Sequence, residues 1–275
     1  MPELPEVETL ARELRGVLIG RMVVGVEVRW ARTVAAPEPE TFARRLTGRC
    51  IREVGRRGKW LLLGLDDGTW LLVHLRMSGR LTVEEAHAPD DAHTRSVFYL
   101  DDGRRLRFSD PRKFGRMMLV DDPGTVLGDL GPEPLGPDLT SERLAGMIRG
   151  RRVRLKPLLT DQRFLAGLGN IYADEVLWGA GLHPLRRADT LTLEEIARLH
   201  RAIRQVLEEA IARRGTTLPD RRYVLPDGRP GEFAPHLAVY GREGQPCPRC
   251  STPIVRTRVG GRSAHHCPRC QQPPE

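Results

Sequence analysis

The sequence predicts an α+β multidomain protein: an N-terminal β-sandwich with a capping helix, then a helical domain and a C-terminal hairpin that carries cysteines. Three observations predict this fold class. The chain has 275 residues, which is more than one domain usually contains. Its first half alternates apolar and polar residues between turn signals, whereas its second half repeats apolar residues at helical spacing. Four of its five cysteines lie close together near the C terminus.

The first predicted element is a helix with one buried face, which begins at the helix-start residue Pro5. Strand-like segments follow at 22–30, 59–65, 69–77, 97–100 and 104–108. Asp66-Asp67-Gly68 and Asp101-Asp102-Gly103 each separate two of these segments, and Asp-Gly is a strong hairpin signal. A helix followed by these hairpins predicts a β-sandwich capped by the helix.

The apolar periodicity of the second half predicts helices over 141–150, 156–165, 170–179 and 192–214. Glycines and prolines are concentrated just before the first of these helices, which indicates an interdomain linker. We therefore predict an N-terminal β-sandwich domain over 1–130, a linker over 131–140, a helical domain over 141–235 and a hairpin domain over 236–275.

Charge and composition narrow the classes of partner. The 44 basic and 36 acidic residues leave a net charge of +8. Arginine supplies most of the positive charge, and its planar guanidinium group suits phosphate. An excess of basic residues is also found in ordinary basic soluble proteins. Aromatic residues are only 5% of the chain, which disfavours a single-strand binder built on rows of stacking rings.

The sequence carries no export or membrane signal. Its start is acidic (Glu3, Glu6 and Glu8) and lacks the apolar segment of a signal peptide. Its longest apolar runs, 60–65 and 70–73, are far too short to cross a bilayer. We expect a protein of the reducing cytoplasm with no membrane partner, where cysteines are more often metal ligands than disulfides.

The C-terminal cysteines form two C-x-x-C pairs separated by sixteen residues, Cys247-Pro-Arg-Cys250 and Cys267-Pro-Arg-Cys270. Each pair can form a tight knuckle, and two knuckles complete a tetrahedral site for one Zn²⁺. Because four cysteines leave no open coordination position, this zinc would be structural, and the neighbouring His265 and His266 are not needed as ligands. Two disulfides are the alternative. Three arginines on the hairpin would face a phosphate backbone: Arg256, Arg258 and Arg262.

The amino terminus offers a nucleophile. Removal of Met1 would leave Pro2 as a secondary amine with a pKa of about 8, partly unprotonated at neutral pH. Such an amine can attack a sugar C1′ and give an iminium. Glu3 and Glu6 would supply carboxyl groups for proton transfer and positioning. Taken alone, these residues more often form a frayed tail before a helix.

With these features the chain resembles the formamidopyrimidine-DNA glycosylase family over nearly its whole length. The opening PELPEVET at 2–9 is similar to the family's catalytic start, and GKWLL at 58–62 to the hairpin with its catalytic lysine. HLRMSG at 74–79 and DPRKFG at 110–115 resemble its two DNA-probing loops. GLGNIYADE at 167–175 resembles its helix–two-turn–helix module, and Gly261-Arg262-Ser263 is similar to the hairpin that carries the family's final arginine.

The resemblance implies catalytic roles for the matching residues. Pro2 would be the Schiff-base nucleophile, Glu3 the proton donor to the opening sugar, and Glu6 a supporting carboxyl. Lys59 would assist β-elimination as a proton donor or phosphate contact, and Arg262 would assist δ-elimination at the other phosphate. Without the resemblance, a hairpin lysine is usually a solvated charge, and Arg262 would be a phosphate clamp or a surface residue.

The resemblance also implies a wedge for DNA. Met77, Arg112 and Phe114 would fill the gap left by a flipped nucleotide, because an apolar wedge and a cation can offset part of the unstacking energy. On sequence alone, a methionine and a phenylalanine on β-loops are more often core residues.

The same resemblance implies that five further residues bind DNA or lie close to it. Asn170 would present a helix start to a phosphate, a role compatible with a plain helix cap. His93 and Arg152 would contact backbone phosphates, Lys156 would lie near the lesion pocket, and His74 belongs to the first probing loop.

The chain departs from the family at Ala264, where threonine is frequent, and at His265-His266, where an aromatic pair is usual. Leu4 and the loop 215–231, which resembles the family's lesion-covering loop, favour the purine branch over the related endonuclease VIII branch. We therefore expect a monomeric base-excision-repair enzyme of the bacterial cytoplasm, associated with the nucleoid. It would remove 8-oxoguanine and formamidopyrimidines from duplex DNA and cleave by β,δ-elimination. The alternatives are an oxidised-pyrimidine glycosylase of the endonuclease VIII branch and a non-catalytic damaged-DNA-binding protein.

Overall fold

The computed structural model describes residues 1–273 and divides the chain into two compact units. The first unit contains Met1–Gly128 and Arg213–Ala234, and the second contains Asp129–Ala212 and the chain from Pro235 onwards. The last two residues of the predicted hairpin domain, 236–275, lie outside the described ones.

The loop 213–234 belongs to the first unit, whereas we predicted it to be part of the helical domain over 141–235. Its main chain takes partners from the first unit: Thr216 donates to Glu6, and the carbonyl of Pro226 accepts from Val83. Such long-range hydrogen bonds leave no periodic signal in the sequence.

The first unit is a two-sheet sandwich with helices. Its elements are α1 (Leu4–Leu18), β1 (Val23–Val28), β2 (Val34–Ala36), α2 (Pro39–Leu46), β3 (Ile51–Arg57), β4 (Trp60–Leu65), β5 (Trp70–His74), β6 (Arg80–Glu85), β7 (Thr94–Leu100), β8 (Arg104–Ser109), β9 (Arg116–Val120) and α3 (Gly124–Leu127). One sheet has the order β1-β7-β8-β6 and the other β2-β9-β5-β4-β3. Only β2 and β9 pair in parallel among these strands.

One apolar core joins the two sheets and α1. α1 packs against β3 and β4, and the core holds its Leu10 and Leu14 together with Phe42, Leu61 and Phe108. The predicted sandwich with a capping helix is therefore confirmed. The strand predicted over 69–77 ends at His74. Four strands, β2, β3, β6 and β9, have no counterpart among the predicted strands.

The second unit contains α4 (Ser141–Ile148), α5 (Leu155–Thr160), α6 (Asn170–Ala180), α7 (Leu193–Ala212) and the hairpin of β10 (Val255–Val259) and β11 (Arg262–His266). α6 is central, since it packs against α5, α7 and β11. The helix predicted over 156–165 is shorter than expected and ends at Thr160. A small apolar cluster, which includes Val239 and Ile254, surrounds the cysteines.

Among the described residues, no helix combines the length and the apolar composition that a membrane crossing requires.

Candidate active site and metal centre

Pro2 and Glu3 lie at the start of α1 and are both buried. Glu3 is the residue that caps the helix, and its main-chain N–H donates to Oε2 of Glu6 at 2.7 Å. Pro5 suits the first turn, where a main-chain N–H would have no intrahelical partner. The predicted nucleophile thus precedes a backbone that the Glu6 carboxyl holds in place.

Glu6 also ties the helix start to the loop 213–234. Its other oxygen, Oε1, accepts from the main-chain N–H of Thr216 at 2.8 Å, and only 1% of Glu6 is exposed. Gly215 has φ +76, and a Cβ atom there would lie 2.9 Å from Oε1 of Glu6. Glycine is therefore required by both the backbone conformation and the close approach.

Tyr223 of the same loop is a residue that sequence reasoning missed. Its hydroxyl donates to the carbonyl of Arg214 at 3.1 Å, and its own carbonyl accepts from Oγ1 of Thr217 at 2.9 Å. Burial, followed by the negative charge of Glu6, raises the pKa of Tyr223, which therefore stays neutral. A single tyrosine in a polar loop gives no local signal that would reveal this.

Lys59 lies in the tight turn between β3 and β4 and is only 6% exposed. Arg56 ties this turn to α1: its Nη1 donates to the carbonyl of Gly58 at 3.2 Å and its Nε to Glu8 at 3.0 Å. Burial favours the neutral form of Glu8, but hydrogen bonds from Arg12 and Arg56 lower its pKa overall. Lys59 is therefore not the solvated charge that a hairpin lysine usually is.

His74 ends β5 opposite Trp60, and the two rings meet edge to face with centroids 4.9 Å apart. Its Nδ1 accepts from the main-chain N–H of Arg76 at 3.0 Å, so Nε2 carries the proton of the neutral ring. Burial, followed by the charges of Arg76 and Lys59, lowers the pKa of His74 to about 3. His74 is a neutral hydrogen-bond donor at neutral pH.

Met77, Arg112 and Phe114 come together at the surface of the first unit. Nη1 of Arg112 lies 3.2 Å from Sδ of Met77, and its guanidinium group lies 4.8 Å from the Phe114 ring centroid. Met77 is 36% exposed and Phe114 46% exposed, so neither is a core residue. Two exposed apolar side chains around a cation have the chemistry of a wedge between bases.

Asp110 holds the two loops that carry this cluster. Its Oδ1 accepts from the hydroxyl of Ser78 at 2.6 Å and from the N–H of Arg112 at 3.1 Å, while Oδ2 accepts from the N–H of Gly115 at 2.7 Å. The side chain is buried. The sequence gives no local signal for this role of Asp110, because its partners lie on a distant loop and on the main chain.

His93 and Arg152, the predicted phosphate contacts, are both exposed. The main-chain carbonyl of His93 accepts from the N–H of Asp110 at 2.9 Å, which places His93 beside the second probing loop. The Arg152 side chain is 85% exposed and lies 4.0 Å from Asp189.

In the second unit, Lys156 and Asn170 meet at the start of α6. Lys156 is 1% exposed, and its Nζ donates to the carbonyl of Asn170 at 2.9 Å and to the carboxylate of Asp174. The capping residue of α6 is Gly169, so Asn170 is the first helical residue rather than the cap. Lys156 was expected near the lesion pocket, and here its ammonium group is engaged inside the protein.

Arg262 begins β11 and is exposed beside a groove of about 610 Å³. Its Nη1 donates to Oγ1 of Thr160 at 2.6 Å. Gln162 and Arg163 also line the groove. Two arginines beside an open groove suit a phosphate, since their donors pair with its oxygens.

The four predicted zinc ligands converge, because their Sγ atoms all lie within 4.8 Å of one another. Cys250 and Cys267 are 3.4 Å apart, and Cys247 and Cys270 are 3.9 Å apart. Zn–S bonds of about 2.3 Å in a tetrahedron require sulfur separations of about 3.8 Å, so the four thiols fit one Zn²⁺. Nε1 of Trp178 donates to the sulfur of Cys247 at 3.4 Å, which would favour its thiolate.

The histidine pair that departs from the family takes other partners. His265 contacts Asp174, and Nε2 of His266 lies 3.1 Å from Nε2 of His183. Both histidines are buried and neither belongs to the four-cysteine cluster.

Three family models match the chain: the formamidopyrimidine-DNA glycosylase N-terminal domain over residues 1–117, the H2TH domain of the same glycosylase over 130–221, and the zinc finger found in FPG and IleRS over 244–273. Among similar proteins, formamidopyrimidine-DNA glycosylase of Chloroflexus aggregans is 52% identical over 259 residues, which cover 93% of each chain. That of Moorella thermoacetica is 52% identical over 264 residues, covering 94% of this chain and 95% of its own.

Solved structures of similar proteins contain DNA. Wild-type Lactococcus lactis Fpg (MutM), bound to DNA that contains N7-benzyl-Fapy-dG, superimposes with a TM-score of 0.92 at 36% identity. MutM in complex with DNA that contains carbocyclic 8-oxo-G superimposes with a TM-score of 0.91 at 36% identity. Each comparison covers 99% of this chain and 100% of the other.

Proposed function

Because this chain belongs to the formamidopyrimidine-DNA glycosylase family, we propose that it excises 8-oxoguanine and formamidopyrimidines from duplex DNA and then cleaves the abasic strand. The observation that carries this proposal is the amino terminus. Pro2 is buried directly before a helix start at which the Glu6 carboxylate accepts from the main-chain N–H of Glu3. Two observations support the choice of lesion. Similar proteins are named formamidopyrimidine-DNA glycosylase, and similar solved structures contain DNA with N7-benzyl-Fapy-dG or carbocyclic 8-oxo-G.

The proposed reaction begins with the nitrogen of Pro2, which removal of Met1 frees as a secondary amine. The nitrogen lone pair attacks C1′, the glycosidic bond breaks, and the base leaves with the bonding electrons. Glu3 donates a proton to the ring oxygen as the sugar opens to an iminium. Glu6 keeps the helix start in place, since its two oxygens hold the N–H groups of Glu3 and Thr216.

The iminium acidifies the C2′ proton, and its loss breaks the bond to the 3′ phosphate. A second elimination breaks the bond to the 5′ phosphate, so that phosphates bound the gap on both sides. We assign Lys59 to the first elimination and Arg262 to the second, where a fixed cation stabilises the leaving phosphate. The burial of Lys59 and the groove beside Arg262 support these roles.

We propose that the cluster of Met77, Arg112 and Phe114 enters the base stack when the lesion is flipped out. Asp110 supports this role, because it braces both loops and so keeps the wedge rigid. Unstacking a base step opposes flipping by a few kcal/mol, and the buried apolar surface of the wedge offsets part of it.

His74, His93, Arg152 and Asn170 are the proposed contacts with the DNA backbone. As a neutral donor, His74 would bind a phosphate oxygen without adding charge, whereas Arg152 would add a salt-dependent contact. Lys156 would act from inside the protein by supporting the start of α6, since its ammonium group is buried.

Zinc, when bound by the four cysteines, would supply folding energy and no chemistry, since four thiolates leave no open coordination position. It would fix the hairpin that carries Arg262. We further propose that the protein acts as a monomer on the nucleoid of a bacterial cytoplasm, where its duplex substrate would lie.

Borohydride trapping on defined duplexes tests the proposal. An 8-oxoguanine·cytosine duplex should give a covalent protein–DNA adduct with borohydride and β,δ-elimination products without it. A form with an uncleaved N-terminal extension, in which the Pro2 nitrogen stays a tertiary amide, should give neither, and intact mass confirms each terminus. Normal cleavage by the extended form would refute the role of Pro2. Faster excision of thymine glycol than of 8-oxoguanine would assign the chain to oxidised pyrimidines instead.

A further inference from the structure

The second unit contains a buried carboxylate, Asp174 on α6, that the proposed reaction does not use. Its side chain has no exposed surface. Oδ1 pairs with Nζ of Lys156, and Oδ2 accepts from the main-chain N–H of His265 at 3.0 Å. Asp174 therefore holds one residue of α5 and one residue of β11 at once.

The His265 ring adds a second bond to the same carboxylate. Its Nδ1 lies 3.1 Å from Oδ2 of Asp174. Because the carboxylate is already paired with an ammonium group and can only accept, Nδ1 must carry the proton of the ring. His265 thus contributes two donors, one from its main chain and one from its side chain, to a single oxygen.

Both elements that Asp174 holds lead to Arg262. β11 begins with Arg262 and carries His265 three residues later. α5 begins beside Lys156 and ends at Thr160, whose Oγ1 accepts from Nη1 of Arg262 at 2.6 Å. The same hydroxyl bonds back to the carbonyl of Lys156 at 3.1 Å. The bonds form a closed ring from Asp174 through α5 to Arg262 and back through β11.

We propose that Asp174 is a positioning residue that aims the guanidinium group of Arg262 at the phosphate through His265 and through α5. This inference rests on the proposed function, because it concerns the second elimination. Arg262 is exposed, so its long side chain has many rotamers available. Its direction depends on the backbone of β11 and on the hydroxyl of Thr160, and Asp174 fixes both. A charged acceptor with three donors makes a strong and directional anchor.

The test is the ratio of δ- to β-elimination products on a duplex that already contains an abasic site. Asp174→Asn keeps the shape but loses the charge and one acceptor oxygen, and should lower this ratio about tenfold, equivalent to about 1.4 kcal/mol. His265→Phe keeps the main-chain bond and loses only the Nδ1 bond, so it should lower the ratio less. Borohydride trapping at Pro2 and zinc content should stay near wild type in both variants.

Glu175→Gln is the matched control. Glu175 is the next residue of α6 and is also buried, but its oxygens accept from the main-chain N–H groups of 238–240 rather than from α5 or β11. This variant should lower thermal stability without changing the product ratio. If it lowers the ratio as much as Asp174→Asn does, the effect is general loosening and the proposal fails.

A double-mutant cycle tests whether the effect passes through Arg262. In an Arg262→Ala background, Asp174→Asn should have no further effect on δ-elimination. An equal effect in both backgrounds, or a wild-type product ratio in Asp174→Asn, would overturn the positioning role. Absence of adduct and cleavage in the wild-type protein would instead overturn the proposed function itself.

Discussion

Replacement of Gly215 by alanine tests whether the contact between Glu6 and the loop 213–234 controls the amino terminus. A Cβ atom at position 215 would lie 2.9 Å from Oε1 and 3.0 Å from Cγ of Glu6. The 2.9 Å approach to Oε1 is shorter than real Cβ contacts, and the 3.0 Å approach to Cγ is tighter than most of them. The carboxyl must move, and its bonds to Thr216 and Glu3 must weaken.

Gly103→Ala is the control for backbone strain. Gly103 has φ +80, close to the +76 of Gly215, but a Cβ atom there would meet no atom within 4 Å. Left-handed backbone destabilises a non-glycine residue by about 1–2 kcal/mol, and both variants carry this penalty. The free energy of unfolding of Gly215→Ala should fall by about 2 kcal/mol more than that of Gly103→Ala. This is the typical contribution of one hydrogen bond to a charged group.

The assays are denaturant unfolding and single-turnover borohydride trapping on an 8-oxoguanine duplex. Gly103→Ala should trap at the wild-type rate. Gly215→Ala should trap about tenfold more slowly. Misalignment of Pro2 and Glu3 that raises the activation free energy by about 1.4 kcal/mol slows the reaction by this factor. Equal unfolding energies and equal trapping rates for the two variants would refute the idea that Glu6 organises the nucleophile.

Three further predictions concern His74, Phe114 and the cysteine cluster. The folded-state pKa of His74, about 3, lies below the ordinary 6.5, so the unfolded chain binds its proton first as pH falls. Protonation of His74 in the unfolded chain should therefore lower the free energy of unfolding by about 2 kcal/mol between about pH 7 and about pH 5. In denaturant unfolding, His74→Asn should lose less stability over this pH range. Phe114→Ala should leave the unfolding energy unchanged, since the ring is 46% exposed. It should slow 8-oxoguanine excision about tenfold in single-turnover assays, and cleavage of a pre-formed abasic site less, because the wedge acts when the base flips. Removal of the metal by a strong chelator should release one zinc per chain and abolish DNA binding in a filter assay, and added Zn²⁺ should restore binding.

The parts of the fold that could be predicted from the sequence are those with a local signal. The C-x-x-C pairs predicted one four-cysteine site, and the thiols converge on one ion. Asp101-Asp102-Gly103 predicted the hairpin of β7 and β8, and helical periodicity predicted α1 and α7 within a few residues. In each case the signal spans a short stretch of chain, so no distant partner is needed to read it.

The parts that could not be predicted depend on distant partners. β6 carries charged residues, and its Glu84 pairs with Arg105, which is 3% exposed on β8. A buried arginine in a strand has no sequence pattern that separates it from a solvated one. The loop 213–234 joins the first unit through Glu6, a carboxylate more than 200 positions away in the chain. Its membership follows from a contact that periodicity does not encode.

Buried carboxylates explain how separate segments of the chain can carry the proposed chemistry with fixed geometry. Glu6, Asp110 and Asp174 each accept main-chain N–H groups from segments that carry or adjoin a proposed functional residue. Each such bond stabilises by about 1.5–3 kcal/mol, whereas a loop residue left unanchored gains about 1–2 kcal/mol of conformational entropy. One carboxylate with two or three donors therefore outweighs the tendency of the segments it holds to disorder. An amide in its place would keep one acceptor oxygen, but its NH2 group would replace the other oxygen and face another hydrogen-bond donor. Glutamate and aspartate are thus required at these positions for their acceptor chemistry, and none of the three needs to touch DNA.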